Sequence, residues 1–300
     1  MARSRNMTSL SRAANSGLER CGEINAPCHG WTGEVPGDPD HVMTSPRVYA
    51  IYWDDYFVRN KKAVNRMNRF FLEILGSVYM RQLAQYGVGP AAFSGSAVVP
   101  ADAAARAQVN PDHPEYIEAQ LRAWIEQGIV RERPARAERN PLYVIFTPRG
   151  TSIGECLCGY HQSGYFGKTS GDKNLFWAAI QEWHHDFSPE SEPRVRQLVD
   201  SCSWCVSHEM VEAFTNPDGQ GYHTNDSDHP DGGCEIGDIC ECAKGSAGMK
   251  TPIITTQIGG WWVEPYWDNQ NQSCYPLHVV PRKEAPQGGY ESAGGTKGGT

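Results

Sequence analysis

The segment Ser207-His-Glu-Met-Val-Glu212 has the residue types and the spacing of a metal-binding helix turn with an adjacent base. His208 and Glu212 are four residues apart, so on a helix their side chains project from one face, one turn apart. An imidazole and a carboxylate at that spacing are typical ligands of one Zn²⁺ ion. Glu209 directly follows the histidine and is therefore expected beside the ion, where a general base for hydrolysis belongs. A surface His-Glu pair on an ordinary amphipathic helix is the alternative.

A third ligand is expected from Gly233-Cys-Glu-Ile-Gly-Asp-Ile-Cys240, a motif that follows the predicted helix after a polar loop. Either Glu235 or Asp238 suits the position of the downstream carboxylate that many zinc hydrolases use. A disulfide-tied turn with solvated carboxylates is the alternative without a metal. The loop histidines His223 and His229 are expected at the surface. Calcium is a further alternative, because this region offers hard oxygen ligands: Asp226, Asp228, Asp231 and Glu235.

Residues on both sides of the metal motif predict the helix that presents it. Pro193 suits a first helical turn, and Asn216-Pro217 predicts the end of the helix. Cys205 lies one turn before His208 and is expected in a disulfide, with a thiolate ligand or a redox Cys-x-x-Cys as the alternatives. Apolar residues recur at helical spacing and form the face expected to pack on the core: Leu198, Cys202, Val206, Met210 and Ala213.

Several segments, in order along the chain, resemble one known family. They are Arg47-Val-Tyr-Ala-Ile-Tyr-Trp53, Phe70-Phe-Leu-Glu-Ile-Leu-Gly-Ser-Val-Tyr-Met80, Leu142-Tyr-Val-Ile-Phe-Thr-Pro148, Cys158-Gly-Tyr-His161, Ser207-His-Glu-Met-Val-Glu-Ala-Phe-Thr-Asn-Pro217, Glu235-Ile-Gly-Asp-Ile-Cys240 and Tyr266-Trp-Asp-Asn-Gln-Asn-Gln-Ser-Cys274. Such segments are similar to those of the phosphate-induced, exordium-like proteins. The resemblance implies a secreted, zincin-like domain whose biochemical activity is poorly defined. Family members usually carry a signal peptide, whereas the first 20 residues of this chain are basic and polar and lack an apolar segment.

Composition narrows the class of protein and its location. Ten cysteines among 300 residues are many for a reduced cytosolic protein, so disulfides and a secreted or extracytoplasmic location are expected. The net charge of −8 argues against a nucleic-acid partner. No apolar run reaches the roughly 20 residues of a membrane span. We expect a flexible N-terminal arm over 1–45, a metal-binding domain over 46–277 and a disordered Gly-rich tail over 278–300.

Alternating predicted strands and helices indicate the fold class. Strands are expected at Val48–Trp53, Ala92–Val99 and Leu142–Thr147, where β-branched and aromatic residues gather. Amphipathic helices are expected over 61–86 and Pro114–Gln127. The order of these elements predicts an α/β fold, with α+β as the alternative. We therefore expect a single zincin-like domain that has a mixed sheet and a metal-binding helix and is stabilised by disulfides.

Several other segments have two interpretations each. His161 follows the third predicted strand, and a packed loop histidine is expected there, with a metal ligand or a transition-state donor as the alternative. Leu175–Trp183 is expected to be helical or extended, and Ile253–Val263 to form a strand pair. The cluster Trp183-His-His-Asp186 is expected at the solvated surface, because adjacent helical side chains diverge. Four late aromatic residues suit either the core or a substrate groove: Trp261, Trp262, Tyr266 and Trp267.

These motifs together predict a metal-dependent hydrolase that resembles a zinc metallopeptidase and acts on a peptide or a small molecule. His208, Glu212 and a carboxylate from Glu235 or Asp238 would hold Zn²⁺, and Glu209 would be the general base. One alternative is a secreted, disulfide-rich binding or signalling module whose metal is structural. Another is a redox enzyme with iron or copper, which the same donor atoms suit. A catalytic zinc keeps an open coordination position, whereas a structural zinc has four protein ligands.

Overall fold

The computed structural model of the protein describes residues 31–110, 113–134, 139–154, 157–167, 173–181, 192–224, 234–241 and 256–276. The strands are β1 (Arg47–Trp53), β2 (Ala92–Val99), β3 (Leu142–Phe146), β4 (Gly159–Gly164), β5 (Leu175–Ile180), β6 (Thr256–Ile258), β7 (Trp261–Val263), β8 (Tyr266–Asp268) and β9 (Ser273–Tyr275). The α-helices are α1 (Asp55–Arg59), α2 (Lys61–Leu75), α3 (Val78–Arg81), α4 (Ala103–Gln108), α5 (Pro114–Glu126), α6 (Glu192–Thr215) and α7 (Asp238–Glu241). Short 3₁₀ helices cover Pro39–His41 and Gln82–Tyr86.

One mixed sheet forms the centre of the fold, with the strand order β2-β1-β3-β5-β4. β1 runs parallel to β2 and β3, and β3 runs parallel to β5. β4 lies at the edge of the sheet and runs antiparallel to β5. Two hairpins, β6-β7 and β8-β9, form separate small sheets, and the first of them is the strand pair expected within Ile253–Val263. The expected mixed sheet and α/β class are confirmed.

Apolar residues of the sheet alternate between two buried clusters, one on each face. In β1, Val48, Ala50 and Tyr52 join the cluster that contains α2 and α6. Tyr49 and Ile51 join the other cluster, which contains α4 and α5. Every residue of β3 and β5 is buried, as expected of parallel strands that are covered on both faces. The sheet therefore lies between two helical layers.

Most predicted elements are confirmed, but one predicted helix is not continuous. The strands expected at β1, β2 and β3 and the helix expected at α5 are present, and 175–183 contains the strand β5. The single helix predicted over 61–86 is wrong, because α2 ends at Leu75 before α3 and a 3₁₀ helix follow. Ser77 explains the break. Its hydroxyl donates to the carbonyl of Ile74 at 2.6 Å and its backbone amide to the same carbonyl at 3.0 Å, which closes the last turn of α2.

The packed part of the chain begins before residue 46. Val35, Val42 and Met43 are buried in the cluster that contains α2 and α6, so the described part of the expected N-terminal arm packs on the domain. Residues 1–30 and the tail expected over 278–300 lie outside the described residues. Within the described ranges, no helix combines the length and the apolar character that crossing a membrane requires.

Helix α6 carries the predicted metal motif and is held from several sides. It packs against α2, β4, β5 and β7, and it ends at Thr215, as Asn216-Pro217 predicts. A disulfide joins Cys205 of α6 to Cys158, which directly precedes β4. A second disulfide joins Cys240 of α7 to Cys274 of β9. The expected disulfide at Cys205 is therefore confirmed, and the helix is covalently linked to the edge strand.

Candidate metal centre

Helix α6 and the first residue of α7 bring three predicted ligands together, and we call them the His208 group: His208, Glu212 and Asp238. Their ligand atoms all lie within 4.8 Å of one another. Nε2 of His208 is 3.3 Å from Oε2 of Glu212 and 3.8 Å from Oδ1 of Asp238. The backbone amide of Asp238 donates to Oε1 of Glu212 at 3.2 Å, and this bond holds the start of α7 against α6.

The edge strand β4 brings a second set of ligands beside the first, and we call it the His161 group: His161, Glu209 and Glu212. Their ligand atoms also lie within 4.8 Å of one another. Nδ1 of His161 is 3.6 Å from Oε2 of Glu209 and 3.8 Å from Oε2 of Glu212. The expectation of a loop histidine is wrong, because His161 lies on β4 and faces α6. Glu212 belongs to both groups.

The separations between histidine nitrogen and carboxylate oxygen in both groups are near those of two atoms that share a cation. A hydrogen bond between nitrogen and oxygen has a usual length of about 2.9–3.0 Å. Two ligands of a tetrahedral Zn²⁺, each about 2.0–2.1 Å from the ion, lie about 3.4 Å apart. The observed separations of 3.3–3.8 Å are closer to the second value. Imidazole nitrogen and carboxylate oxygen suit zinc, and also iron or copper, so the residues present fit a divalent ion.

Each histidine directs its other ring nitrogen at an outer carboxylate. Nδ1 of His208 is buried and lies 3.4 Å from Oε2 of Glu264, and Nε2 of His161 lies 3.6 Å from Oε1 of Glu235. Asn216 donates to that oxygen of Glu235 at 2.5 Å and holds it in place. Metal-binding histidines commonly have such a carboxylate at the ring nitrogen opposite the metal, and the two separations here are those of ion pairs, longer than a hydrogen bond. Of the two carboxylates predicted as a third ligand, Asp238 joins the His208 group and Glu235 contacts His161.

Two glycines allow the backbone to approach the ligands closely. A Cβ atom at Gly237 would lie 2.8 Å from Oε1 of Glu212 and 2.9 Å from Nδ1 of His208. A Cβ atom at Gly159 would lie 2.9 Å from Oε1 of Glu209. Carbon contacts this short do not occur without displacement of one of the atoms. The backbone of the turn and of β4 therefore encloses the cluster only because both positions are glycine.

Burial and negative charge set the electrostatics of the cluster. Burial disfavours the charged form of His161, but Glu235 and the neighbouring carboxylates outweigh burial and raise the pKa of His161 to about 10. Burial opposes charge on His208 as well, and the carboxylates around it raise its pKa well above the ordinary value. Burial, followed by repulsion from Asp238, raises the pKa of Glu212. The cluster therefore holds an excess of negative charge and attracts cations.

The other candidate residues that the structure describes lie outside the two groups. Cys205 is bonded to Cys158, so the thiolate-ligand and redox interpretations of Cys205 are wrong. Nδ1 of His223 lies 3.3 Å from the carbonyl oxygen of Gly221. His229, the aspartates of the calcium alternative and the 183–186 cluster lie outside the described residues. The late aromatic residues are buried, which supports packing in the core over a groove: Trp261, Trp262, Tyr266 and Trp267.

Glu264 lies beside His208 in the candidate metal centre, although no sequence motif predicts a role for it there. It lies between β7 and β8 and is 1% exposed. Its backbone amide donates to the hydroxyl of Ser207 at 3.0 Å, and this bond ties the connection between the two hairpins to the residue before His208. The one sequence signal is that Glu264 interrupts the apolar and aromatic run Trp261–Trp267, where a carboxylate is unusual unless it has a polar partner.

Comparison of the chain with protein-family models found no match, and comparison with curated proteins found none either. The resemblance to exordium-like proteins therefore stays a prediction from the sequence segments that carry it. What the fold and the site define is a mixed α/β protein with disulfides and two adjoining sets of residues that could hold a metal ion.

Proposed function

We propose that the protein is a metal-dependent hydrolase of the zinc-peptidase type with a zincin-like fold. The observation that carries the proposal is the His208 group, in which one imidazole and two carboxylates lie 3.3 and 3.8 Å apart. Nε2 of His208, Glu212 and Asp238 would hold the ion. These ligands come from a His-Glu-x-x-Glu helix and from the start of α7, next to the antiparallel edge strand of a mixed sheet, and that arrangement supports the fold assignment.

The residues around the His208 group have separable roles in such a reaction. A Zn²⁺ ion held there would act as a Lewis acid and would lower the pKa of a coordinated water molecule. Two anionic ligands lower the pKa of that water less than neutral ligands would, so removal of its proton depends more on a nearby base. Glu209 is 3% exposed, and it accepts a proton from the attacking water and returns it to the leaving group. His161, 3.6 Å from the Glu209 carboxylate, orients that base.

The test compares the parent protein, Glu209→Gln and His208→Ala on a broad peptide library with zinc supplied. Glu209→Gln keeps the shape of the side chain and removes its basicity. We expect this variant to keep the ion of the His208 group and to lose about 10²- to 10⁴-fold in turnover. His208→Ala should lose that ion altogether. Unchanged cleavage by zinc-loaded Glu209→Gln would remove Glu209 from the mechanism.

A structural ion in a secreted, disulfide-stabilised binding module is the second candidate. The observation that favours it is burial, because Glu209 and Glu212 are only 3% and 4% exposed. Two disulfides between described residues also attach to the elements that carry the cluster, through Cys205 of α6 and Cys240 of α7. Full zinc loading with no cleavage of any library peptide by the parent protein would favour this candidate. The disulfides support a location outside the cytosol for either function.

A further inference from the structure

Glu212 lies between two histidines that approach the same carboxylate oxygen. Its Oε2 atom is 3.3 Å from Nε2 of His208 and 3.8 Å from Nδ1 of His161. The contact with His208 belongs to the proposed hydrolytic site, whereas the contact with His161 is not used there to bind an ion. We propose that the His161 group binds a second divalent cation of the zinc type beside the first, with Glu212 shared by both ions.

The geometry of the His161 group supports a cation as its occupant. Nδ1 of His161 faces Oε2 of Glu209 at 3.6 Å and Oε2 of Glu212 at 3.8 Å. Both separations exceed the length of a hydrogen bond and are near the separation of two atoms bound to one zinc ion. A carboxylate shared between two ions is compatible with the metal separation of about 3.5–4 Å that two-metal sites show.

The surroundings of His161 repeat those of His208. Nε2 of His161 lies 3.6 Å from Glu235, as Nδ1 of His208 lies 3.4 Å from Glu264. Asn216 holds the Glu235 carboxylate with a hydrogen bond of 2.5 Å. Both histidine–carboxylate separations are longer than a hydrogen bond, so the two outer carboxylates are ion-pair partners of the rings. Metal-binding histidines commonly have a carboxylate at the ring nitrogen opposite the metal. Nδ1 of His161 therefore faces the His161 group in the same way that Nε2 of His208 faces the His208 group.

The balance of charge also favours more than one cation. The two histidines lie among five carboxylates, those of Glu209, Glu212, Glu235, Asp238 and Glu264. Among the described residues, the ion pairs of the first four involve only the two histidines. An imidazole must be neutral to bind a metal ion. With both imidazoles neutral and the five carboxylates ionised, one divalent ion leaves three negative charges and a second leaves one. Three of the five carboxylates, those of Glu209, Glu212 and Glu264, are buried, and these need such compensation because taking an uncompensated charge out of water is costly.

This inference deepens the proposed function and rests on it for the first ion. A cation in the His161 group engages the carboxylate of Glu209, which the proposed function uses to accept a proton. The second ion and the proton therefore compete for Glu209. Zinc above the level that fills the His208 group is expected to inhibit hydrolysis for this reason.

The test is the zinc stoichiometry of the full chain, measured by calorimetric titration and by elemental analysis after dialysis at fixed free zinc. We expect two ions per chain in the parent protein. His161→Ala should keep the tighter ion and bind the second at least about 100-fold more weakly. Removal of a ligand lowers metal affinity more than removal of an outer partner, which costs about 10- to 100-fold. Glu235→Gln should weaken the second ion about 10- to 100-fold and leave the first in place.

The chain offers a matched pair of control variants on its surface. His113 and Glu115 form an exposed histidine–carboxylate contact at 3.2 Å, with side chains 54% and 62% exposed. His113→Ala and Glu115→Gln should bind two ions with parental affinities. Circular dichroism and melting temperature check that each variant folds, and Glu235→Gln supplies an independent result if His161→Ala does not.

The outcomes separate this inference from the proposed function. Two ions in the parent protein and one in His161→Ala support a second site. A single ion in both proteins, lost in His208→Ala, overturns the second site and leaves the proposed function standing. No zinc in the parent protein overturns both. Binding of two ions that is unchanged in both His161→Ala and Glu235→Gln also overturns the second site.

Discussion

Gly237 lies against both side chains of the His208 group, so its substitution tests how closely the turn before α7 sets that group. A Cβ atom there would lie 2.8 Å from Oε1 of Glu212, 2.9 Å from Nδ1 of His208 and 3.0 Å from Cε1 of His208. Ordinary contacts begin at 3.4 Å, so Gly237→Ala requires displacements of about 0.4–0.6 Å. Metal sites need ligand distances within about 0.2 Å of the ideal values. We therefore expect zinc affinity to fall about 10- to 100-fold and the free energy of unfolding to fall by about 1–3 kcal/mol.

Gly76 provides the control for Gly237→Ala. A Cβ atom at Gly76 would meet only the carbonyl oxygen of Leu72 at 3.8 Å, and the φ angle of −86° suits alanine. Gly76→Ala should therefore keep the parental zinc affinity. The assay is competition for zinc with a chromophoric chelator, together with urea unfolding of each variant without metal. Parental zinc affinity in folded Gly237→Ala would refute the reasoning that this turn sets the ligand positions.

Three further predictions concern the elements around the centre. The double variant Cys158→Ala/Cys205→Ala should lose about 2–4 kcal/mol of unfolding free energy, measured by guanidinium titration, because the disulfide joins positions 47 residues apart. Burial opposes the charge on Asp54, but two backbone amides and Arg106 outweigh it and lower the pKa of Asp54. Its stabilising effect is therefore present above the unfolded-state pKa and lost as pH falls through the folded-state pKa, so Asp54→Asn should flatten the stability profile between about pH 2 and pH 5 in urea unfolding. Glu264→Gln should weaken zinc binding to the His208 group about 10- to 100-fold in the chelator assay.

Local sequence signals predicted α6 and the positions of His208, Glu209 and Glu212 on it. A spacing of four residues, an apolar face and a terminating proline are all encoded within one segment. The choice between Glu235 and Asp238 was not available from the sequence. It depends on how the turn at Gly237 leads into α7, where the amide of Asp238 bonds to Glu212, and residue spacing does not specify that conformation.

Residues that reach the centre from distant parts of the chain were harder to predict. His161 arrives through the antiparallel pairing of β4 with β5 and through the disulfide between Cys158 and Cys205. Ten cysteines do not reveal their partners from sequence. Glu264 reaches His208 because the connection between β7 and β8 bonds to Ser207. Contacts of this kind depend on tertiary packing, which no local periodicity encodes.

The two buried clusters on opposite faces of the sheet separate the candidate metal centre from part of the hydrophobic core. The candidate ligands lie on α6 or contact it, whereas α4 and α5 pack on the opposite face of the sheet. Leu121, Trp124 and Ile125 of α5 belong to that opposite face. Substitutions at well-separated sites tend to have additive effects. Redesign of the α5 face would therefore change the melting temperature while zinc affinity stays constant, so that the scaffold and its chemistry can be altered independently.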